Sequence, residues 1–118
     1  MEERRVYPRM RVGREAEITI ENRISPLLCT VEDISLSGVR LTMSKNLFSE
    51  VFSNISLAIS DALSLNLGAH VAWQSEYEGR NTYGLHFNRI NDADRDKLAE
   101  YIRDNSFKEL RDQWWKGL

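Results

Sequence analysis

Nine residues in the middle of the chain decide its fold class: Leu65-Asn66-Leu67-Gly68-Ala69-His70-Val71-Ala72-Trp73. Apolar side chains stand at every second position, with polar or small residues between them. Successive side chains of a β-strand point to opposite faces of a sheet, whereas a helix repeats about every 3.6 residues. The period of two therefore predicts a strand with one apolar face.

The same alternation recurs in five other segments. Strands with one polar and one apolar face pair in an antiparallel way, and closure into a barrel removes the exposed edges of an open sheet. We therefore predict a mainly β fold, a six-stranded antiparallel β-barrel. The apolar positions of the five segments are Ala16, Ile18 and Ile20; Leu27, Cys29 and Val31; Val39, Leu41 and Met43; Leu57 and Ile59; and Tyr83, Leu85 and Phe87; turn-prone groups cover residues 22–26, 33–38, 60–64 and 74–81.

The C-terminal stretch changes to the period of a helix. Leu98 and Ile102 are four residues apart, and Asn91 or Asp92 can cap the first turn. Ser106-x-x-Glu109 has the form of a capping box, so either a second helix begins there or the first one bends. We expect this helical region to brace the barrel, and one or two helical turns within residues 44–53 to cover a barrel end.

Trp114 and Trp115 stand close to the C-terminus. Core packing is the common use of such large side chains, and a contact with a partner or a second copy of the chain is the alternative. Both a monomer and a weak homodimer are consistent with the sequence.

Length and composition describe one soluble domain. The 118 residues are 42% hydrophobic and 29% charged, as in an ordinary globular protein. No apolar run approaches the ~20 residues that span a bilayer, and the N-terminus lacks the apolar stretch of a secretory signal. The single cysteine, Cys29, can form no internal disulfide, which fits a reducing compartment. We expect a cytoplasmic protein that does not insert into membranes.

Charge is divided unevenly along the chain. Residues 1–14 hold five arginines and two glutamates, a net charge of +3, which leaves −5 for the rest of a chain whose net charge is −2. This asymmetry favours a small anionic ligand, since most of the surface would repel an extended polyanion such as duplex DNA. We therefore predict a flexible basic arm (residues 1–14), a barrel (15–90) and a C-terminal helical region (91–118).

No residue pattern supports catalysis. Cys29 shares the apolar face of its segment, while His70 and His86 stand on polar faces, without a Cys, Asp or Glu at a ligand-like spacing. The three aspartates between residues 92 and 96 lack the Gly and Glu of a calcium loop and suit the positive end of a helix instead. We predict a protein that is not an enzyme and has no metal or cofactor.

The N-terminal arm carries two arginines with a proline between them, in Arg5-Val6-Tyr7-Pro8-Arg9. Pro8 restricts the backbone and favours an extended conformation at Tyr7, so both guanidinium groups can reach one ligand. A guanidinium binds phosphate through two parallel hydrogen bonds, stacks on a purine, and matches the O6 and N7 atoms of guanine. The arm therefore suits a nucleotide that contains phosphate.

The turn Asp33-Ile34-Ser35-Leu36-Ser37-Gly38 links two predicted strands. The Asp33 carboxylate can accept hydrogen bonds from N1–H and N2–H of guanine, and Ser35 offers a hydroxyl. Gly38 permits a positive φ and a close approach of the backbone. Alone, this pattern is a common turn, but combined with the two arginines it favours an anionic guanine ligand.

Together, Arg5-x-x-x-Arg9 and Asp33-x-Ser35-x-x-Gly38 resemble the paired signature of the PilZ domain family, bacterial receptors for cyclic di-GMP. The resemblance covers roughly residues 3–105, since Val71-x-Trp73 and Gly84-Leu85-His86-Phe87 stand where PilZ domains have late strands of these types. The family fold is a six-stranded antiparallel barrel followed by a helix, which agrees with the strand count above.

The resemblance implies a site. The arm arginines would hold the ligand phosphates and guanine edges, and the turn residues would contact a guanine base. In PilZ domains a third arginine directly before the motif, here Arg4, goes with a stacked pair of ligands, so two molecules per protomer are a hypothesis. Trp73 lies either against a guanine base or in the core. The candidate residues for cyclic di-GMP are Arg4, Arg5, Arg9, Asp33, Ser35, Gly38 and Trp73.

The leading hypothesis is a non-catalytic receptor that binds cyclic di-GMP and relays the signal to an unidentified partner protein. One alternative is a PilZ-like interaction module that works through its C-terminal helix, Trp114 and Trp115, without nucleotide. A second is a barrel that binds single-stranded nucleic acid through its basic arm and aromatic residues, but the acidic body argues against it.

Overall fold

The computed structural model describes residues 9–21, 25–44, 52–59 and 63–116, with side chains up to residue 105. Within these residues the chain forms six β-strands followed by one α-helix, as predicted. The strands are β1 (Met10–Ile20), β2 (Leu27–Ile34), β3 (Gly38–Met43), β4 (Ile55–Ile59), β5 (Leu63–Tyr77) and β6 (Arg80–Ile90), and the helix is α1 (Asp92–Lys116).

The strands close into a barrel in the order β1-β2-β3-β6-β5-β4. Every neighbouring pair is antiparallel, and the pairing of β1 with β4 completes the ring. The predicted six-stranded antiparallel barrel is therefore confirmed. Because β3 lies beside β6, a ligand on this side of the barrel would span strands from both halves of the chain.

Side chains fill the barrel interior. Most apolar positions of the alternating pattern are buried, with Val71 and Trp73 of β5 as exposed exceptions, and Ile18, Leu41, Leu57, Leu65 and Tyr83 are almost fully excluded from solvent. Burying one such aliphatic side chain contributes roughly 1.5–3 kcal/mol, so this layer supplies most of the stability. Because small barrels are packed cores, a ligand has to bind on the outer face or at an end.

β1 begins at Met10, earlier than the alternation indicates. Its pairing with β2 shifts between Arg11 and Arg14, and Gly13 lies there with a φ of 59°. This bulge interrupts the period of two, and for that reason the sequence predicted an arm up to residue 14. Residues 10–14 belong to the barrel.

The hairpin between β5 and β6 is also more regular than expected. Residues 74–81, predicted as a loop, continue both strands to the pair Tyr77 and Arg80. Glu78 and Gly79 form a two-residue turn with φ values of 50° and 78°, as a type I′ turn requires. Residues 71–80 are all exposed. Because neither face of the hairpin is buried here, the sequence lacks the apolar alternation that predicts a strand.

α1 begins at a side-chain cap. Asn91 Oδ1 accepts a hydrogen bond of 2.8 Å from the Asp94 N–H, so Asn91 is the cap of the two candidates. Asp94 is itself buried, and its Oδ2 accepts a hydrogen bond of 2.9 Å from the Asn66 N–H of β5. This bond joins the helix to the barrel.

The same helix continues through Ser106 to Lys116, so of the two alternatives at Ser106 the start of a second helix is excluded. Leu98 and Tyr101 are buried against the barrel.

No helix in the described part of the chain has the length and apolar content needed to cross a bilayer. The predicted turns within residues 44–53 lie mostly outside the described residues, and so do the side chains of Trp114 and Trp115.

Candidate functional site

The pairing of β1 with β2 brings the N-terminal arm to the Asp33–Gly38 turn. Met10 lies opposite Ile34, and Arg11 lies opposite Asp33. Arg9 directly precedes β1 and is exposed. It therefore lies close to the end of β2, where the turn begins. Arg4 and Arg5 lie outside the described residues.

The turn is held by hydrogen bonds on both sides. The Ser35 N–H donates to the Gly38 carbonyl at 2.9 Å, and the Ser37 N–H donates to Ser35 Oγ at 3.1 Å. The Phe87 N–H of β6 donates to the Ser37 carbonyl at 2.8 Å. Ser35 is buried and also contacts the Ser37 hydroxyl, so its hydroxyl shapes the turn from within.

Gly38 is required for a different reason from the first one predicted. Its φ is not in the left-handed region, which Gly13 and Gly79 adopt. A Cβ at this position would lie within 3.0 Å of the Leu85 carbonyl oxygen, so the absence of a side chain lets β3 pack closely against β6. The predicted close approach is correct, and the partner is the neighbouring strand.

Asp33 reaches the outer face because of a bulge. Val31 pairs with Leu41 and Asp33 pairs with Arg40, so Glu32 is an extra residue in β2. If Glu32 were paired as in a regular strand, Asp33 would share the inward parity of Cys29 and Val31. The Asp33 carboxylate instead forms an ion pair of 2.8 Å with Arg40, and its side chain is 10% exposed.

Trp73 is placed on the outer face in the same way. Val71 pairs with Leu85 and Trp73 pairs with Gly84, so Ala72 is an extra residue in β5. A Cβ at Gly84 would lie within 3.0 Å of three indole atoms, which means that the Trp73 ring covers Gly84 on the side opposite the buried Tyr83 and Leu85. At 41% exposure Trp73 is not a core residue.

Five cross-strand neighbours now form one row, which we call the outer row. Each is opposite the next across five adjacent strands. At about 4.8 Å between strands, the outer row is roughly 19 Å wide. It offers cations for phosphate, a carboxylate for guanine N–H groups and an indole for stacking. In order from β1 to β5, its members are Arg11, Asp33, Arg40, Gly84 and Trp73.

Comparison with known proteins identifies the family and the fold. The sequence model of the PilZ domain family matches residues 3–104. The chain belongs to the PilZ domain family. No curated protein matches it significantly in sequence.

Several solved structures share the PilZ fold of this chain. Escherichia coli YcgR in complex with c-di-GMP has a TM-score of 0.74 at 19% identity, over 98% of this chain and 51% of that chain. The PilZ domain of E. coli YcgR with c-di-GMP has a TM-score of 0.73 at 18% identity, over 97% and 99%. The K. pneumonia MrkH–c-di-GMP complex has a TM-score of 0.75 at 17% identity, over 93% and 55%. The chain thus spans about half the length of YcgR and MrkH.

Two histidines flank the turn of this PilZ domain. His70 and His86 are exposed cross-strand neighbours with ring centroids 5.0 Å apart, and His86 lies opposite Gly38. Their outward direction matches the prediction.

In the described part of the chain, no group of three His, Cys, Asp or Glu side chains is arranged to hold a metal ion. Burial raises the pKa of the Cys29 thiol to about 12, so this thiol is a poor nucleophile at neutral pH.

Sequence reasoning missed Arg11 and Arg40. Arg40 stands between the buried Val39 and Leu41, so its outward direction was readable. Its pairing with Asp33 was not readable, because the parity of β2 places Asp33 on the opposite face until the bulge at Glu32 is known. Arg11 was hidden in the same way, because it was counted in the arm.

Proposed function

We propose that this PilZ domain is a non-catalytic, cytoplasmic bacterial receptor that binds cyclic di-GMP. The observation that carries the proposal is the pairing of Met10 with Ile34 and Arg11 with Asp33, since it puts the start of β1, directly after Arg9, next to the turn and the outer row. The c-di-GMP complexes of YcgR and MrkH, which share the fold, support the choice of ligand.

In this proposal the two halves of the site act on different parts of the ligand. Arg5 and Arg9 hold the phosphates and stack on guanine, because a guanidinium does both. Asp33 accepts hydrogen bonds from the guanine N1–H and N2–H groups. Ser35 and Gly38 keep the turn in shape beneath that base, and Trp73 offers a stacking surface at the far end of the outer row.

Stoichiometry and signal transfer extend the proposal. Arg4 provides a third guanidinium, and we expect it to hold a second, stacked molecule of cyclic di-GMP. Ordering of the arm on the ligand is the signal that a partner protein reads. We expect an affinity in the micromolar to sub-micromolar range, about −8 to −10 kcal/mol.

Isothermal titration calorimetry with cyclic di-GMP tests the ligand and the stoichiometry. We expect binding by the wild type with two molecules per protomer, and loss of at least about tenfold in affinity for Arg5→Ala and for Arg9→Ala, the cost of one charge-assisted hydrogen bond. Arg4→Ala should lower the stoichiometry to one. Absence of heat with the wild type, or unchanged binding in both Arg5→Ala and Arg9→Ala, contradicts the proposal.

A second function, protein interaction through α1, has one observation in its favour. α1 continues to Lys116, so the stretch of sequence that holds the consecutive Trp114 and Trp115 is helical. The mark of this function is a complex or dimer that forms without nucleotide and is lost when residues 106–118 are removed. Sedimentation of both chains with and without cyclic di-GMP separates the two functions.

A further inference from the structure

We infer that Arg40 is a positioning residue of the nucleotide site. Its guanidinium holds the Asp33 carboxylate in the orientation that reads N1–H and the 2-amino group of guanine. The inference rests on the proposed function and adds to it the residue that makes the site specific for guanine.

Strand pairing fixes the two side chains against each other. Asp33 and Arg40 lie directly opposite on β2 and β3, and such neighbours have Cβ atoms only about 4.5–5.5 Å apart. Arg40 Nη2 donates to Asp33 Oδ2 at 2.8 Å, the length of a charge-assisted hydrogen bond. Because Val39 and Leu41 are buried in the barrel, the side chain of Arg40 has to remain on the outer face.

The surroundings of Arg40 direct its guanidinium towards Asp33. On its other side in the outer row lies Gly84, which has no side chain, and the Trp73 indole fills the space above it. Arg40 Nε is buried and finds no hydrogen-bond partner among the described residues. The ion pair with Asp33, its neighbour on β2, is thus the contact that holds the guanidinium of Arg40 in place.

The ion pair leaves Asp33 able to accept more hydrogen bonds. A carboxylate has about four acceptor positions, and the bond from Arg40 occupies one of them, on Asp33 Oδ2. Only 10% of the Asp33 side chain is exposed, so burial of the carboxylate requires a compensating partner. Without Arg40 the carboxylate would turn towards water, and the acceptors for guanine would no longer be aimed at the ligand. The phosphates, held by the arm, would be affected less.

The test compares two ligands that differ in one group. Cyclic di-IMP has the same phosphates as cyclic di-GMP but lacks the 2-amino group of guanine. We expect the wild type to bind cyclic di-GMP at least about tenfold more tightly, the value of one charge-assisted hydrogen bond. In Arg40→Met this preference should fall to within about threefold, while Arg40→Lys, which keeps one charged donor, should retain part of it.

A matched control removes the same charge elsewhere. Arg14, an exposed arginine of β1 that pairs with Val31, lies away from Asp33. Arg14→Met should weaken both ligands by the same small factor and leave the preference unchanged. Circular dichroism identifies any variant that fails to fold, and in that case Arg40→Lys and Arg40→Gln decide the question.

The outcomes separate the inference from the function on which it rests. A wild type that binds neither ligand contradicts the proposed function. A wild type that prefers cyclic di-GMP, together with a folded Arg40→Met that keeps the full preference, overturns the role of Arg40 alone. Equal loss of affinity for both ligands in Arg40→Met also overturns it, because only the overall charge would then matter.

Discussion

Gly38 of β3 and Gly84 of β6 both stand at outward positions of adjacent strands, but a backbone atom lies over Gly38 and a side chain lies over Gly84. A Cβ at Gly38 would meet the Leu85 carbonyl oxygen, which is backbone, whereas a Cβ at Gly84 would meet the indole of Trp73, which is a side chain. A backbone atom moves only if the strand moves, while a half-exposed indole can rotate away. The same substitution should therefore have unequal costs.

We predict that Gly38→Ala lowers the free energy of unfolding by about 2–3 kcal/mol, the upper part of the range for overpacking, and Gly84→Ala by about 1 kcal/mol. Urea unfolding of both variants measures the difference. Trp73→Ala is the control, because Gly84→Ala should cost almost nothing in that background. An equal cost of Gly84→Ala with and without Trp73 would contradict this account.

Cys29 gives a pH-dependent prediction at the same scale. Burial raises the pKa of its thiol from 9.0 to about 12, so between these values the unfolded chain releases a proton that the folded chain keeps. Its contribution to stability is complete below pH 9 and is lost as the pH rises towards 12, by up to about 1.4 kcal/mol per pH unit.

Urea unfolding of the wild type and of Cys29→Ala at several pH values between 8 and 11 tests this prediction. Lysine and tyrosine residues titrate in the same range in both proteins, so only the difference between the two curves reports on Cys29. That difference should change steadily above pH 9. Parallel curves would mean that the thiol ionises equally well in the folded state.

At the scale of elements, Asp94 joins α1 to β5. Its Oδ2 accepts the Asn66 N–H, and its own N–H is bonded by the Asn91 cap. The sequence indicated only that the aspartates of the first turn suit the positive end of the helix. The additional role depends on where the helix lies against β5, and composition does not contain that information.

We predict that Asp94→Ala lowers the free energy of unfolding by about 1–3 kcal/mol, because it removes the charged acceptor of the Asn66 N–H, and with it the bond between α1 and β5. Asp96→Ala, which removes an exposed aspartate two residues further on, should cost only a few tenths. Hydrogen exchange at the Asn66 amide should accelerate in Asp94→Ala alone. Equal effects of the two variants would show that the helix dipole accounts for the contribution of Asp94.

The alternation of apolar residues predicted every strand, because burial of one face is a property of the sequence itself. It did not predict the bulges at Gly13, Glu32 and Ala72, since an extra residue in one strand is defined only by the partner strand. As a result, the number and kind of elements were predictable. The directions of Asp33 and Trp73 were not.

At the scale of the whole molecule, the proposed site combines residues that precede β1 with a barrel that has its own core. β1 begins at Met10, so removal of residues 1–8 takes away no described strand residue. The arm motif and the turn motif were both visible in the sequence. That the two motifs meet is an expectation from the family resemblance, and the pairing of Met10 with Ile34 supports it for the residue that precedes β1, Arg9.

We predict that a chain lacking residues 1–8 melts within about 1 °C of the full chain in the absence of ligand. Cyclic di-GMP at 100 times its Kd should stabilise the full chain by about 2.7 kcal/mol for each molecule bound, a rise of roughly 10 °C for one molecule and more for two, and should leave the shortened chain unchanged. Differential scanning calorimetry measures both. A shift that survives the deletion would exclude the arm from the site, and a lower melting temperature without ligand would make the arm part of the fold.

The bulges at Glu32 and Ala72 also determine which genetic changes this molecule tolerates. Side chains alternate between faces, so deletion of one residue rotates the strand beyond it by half a repeat. Deletion of the extra residue of a bulge is the exception: loss of Ala72 would join Val71 directly to Trp73, and loss of Glu32 would join Val31 directly to Asp33, so both side chains would keep their outward direction in a regular strand. Substitutions at these two positions keep the count and should be mild. Deletion of one residue from a regular part of β2 or β5 should remove recognition, so the two bulges are the places where these strands can lose a residue.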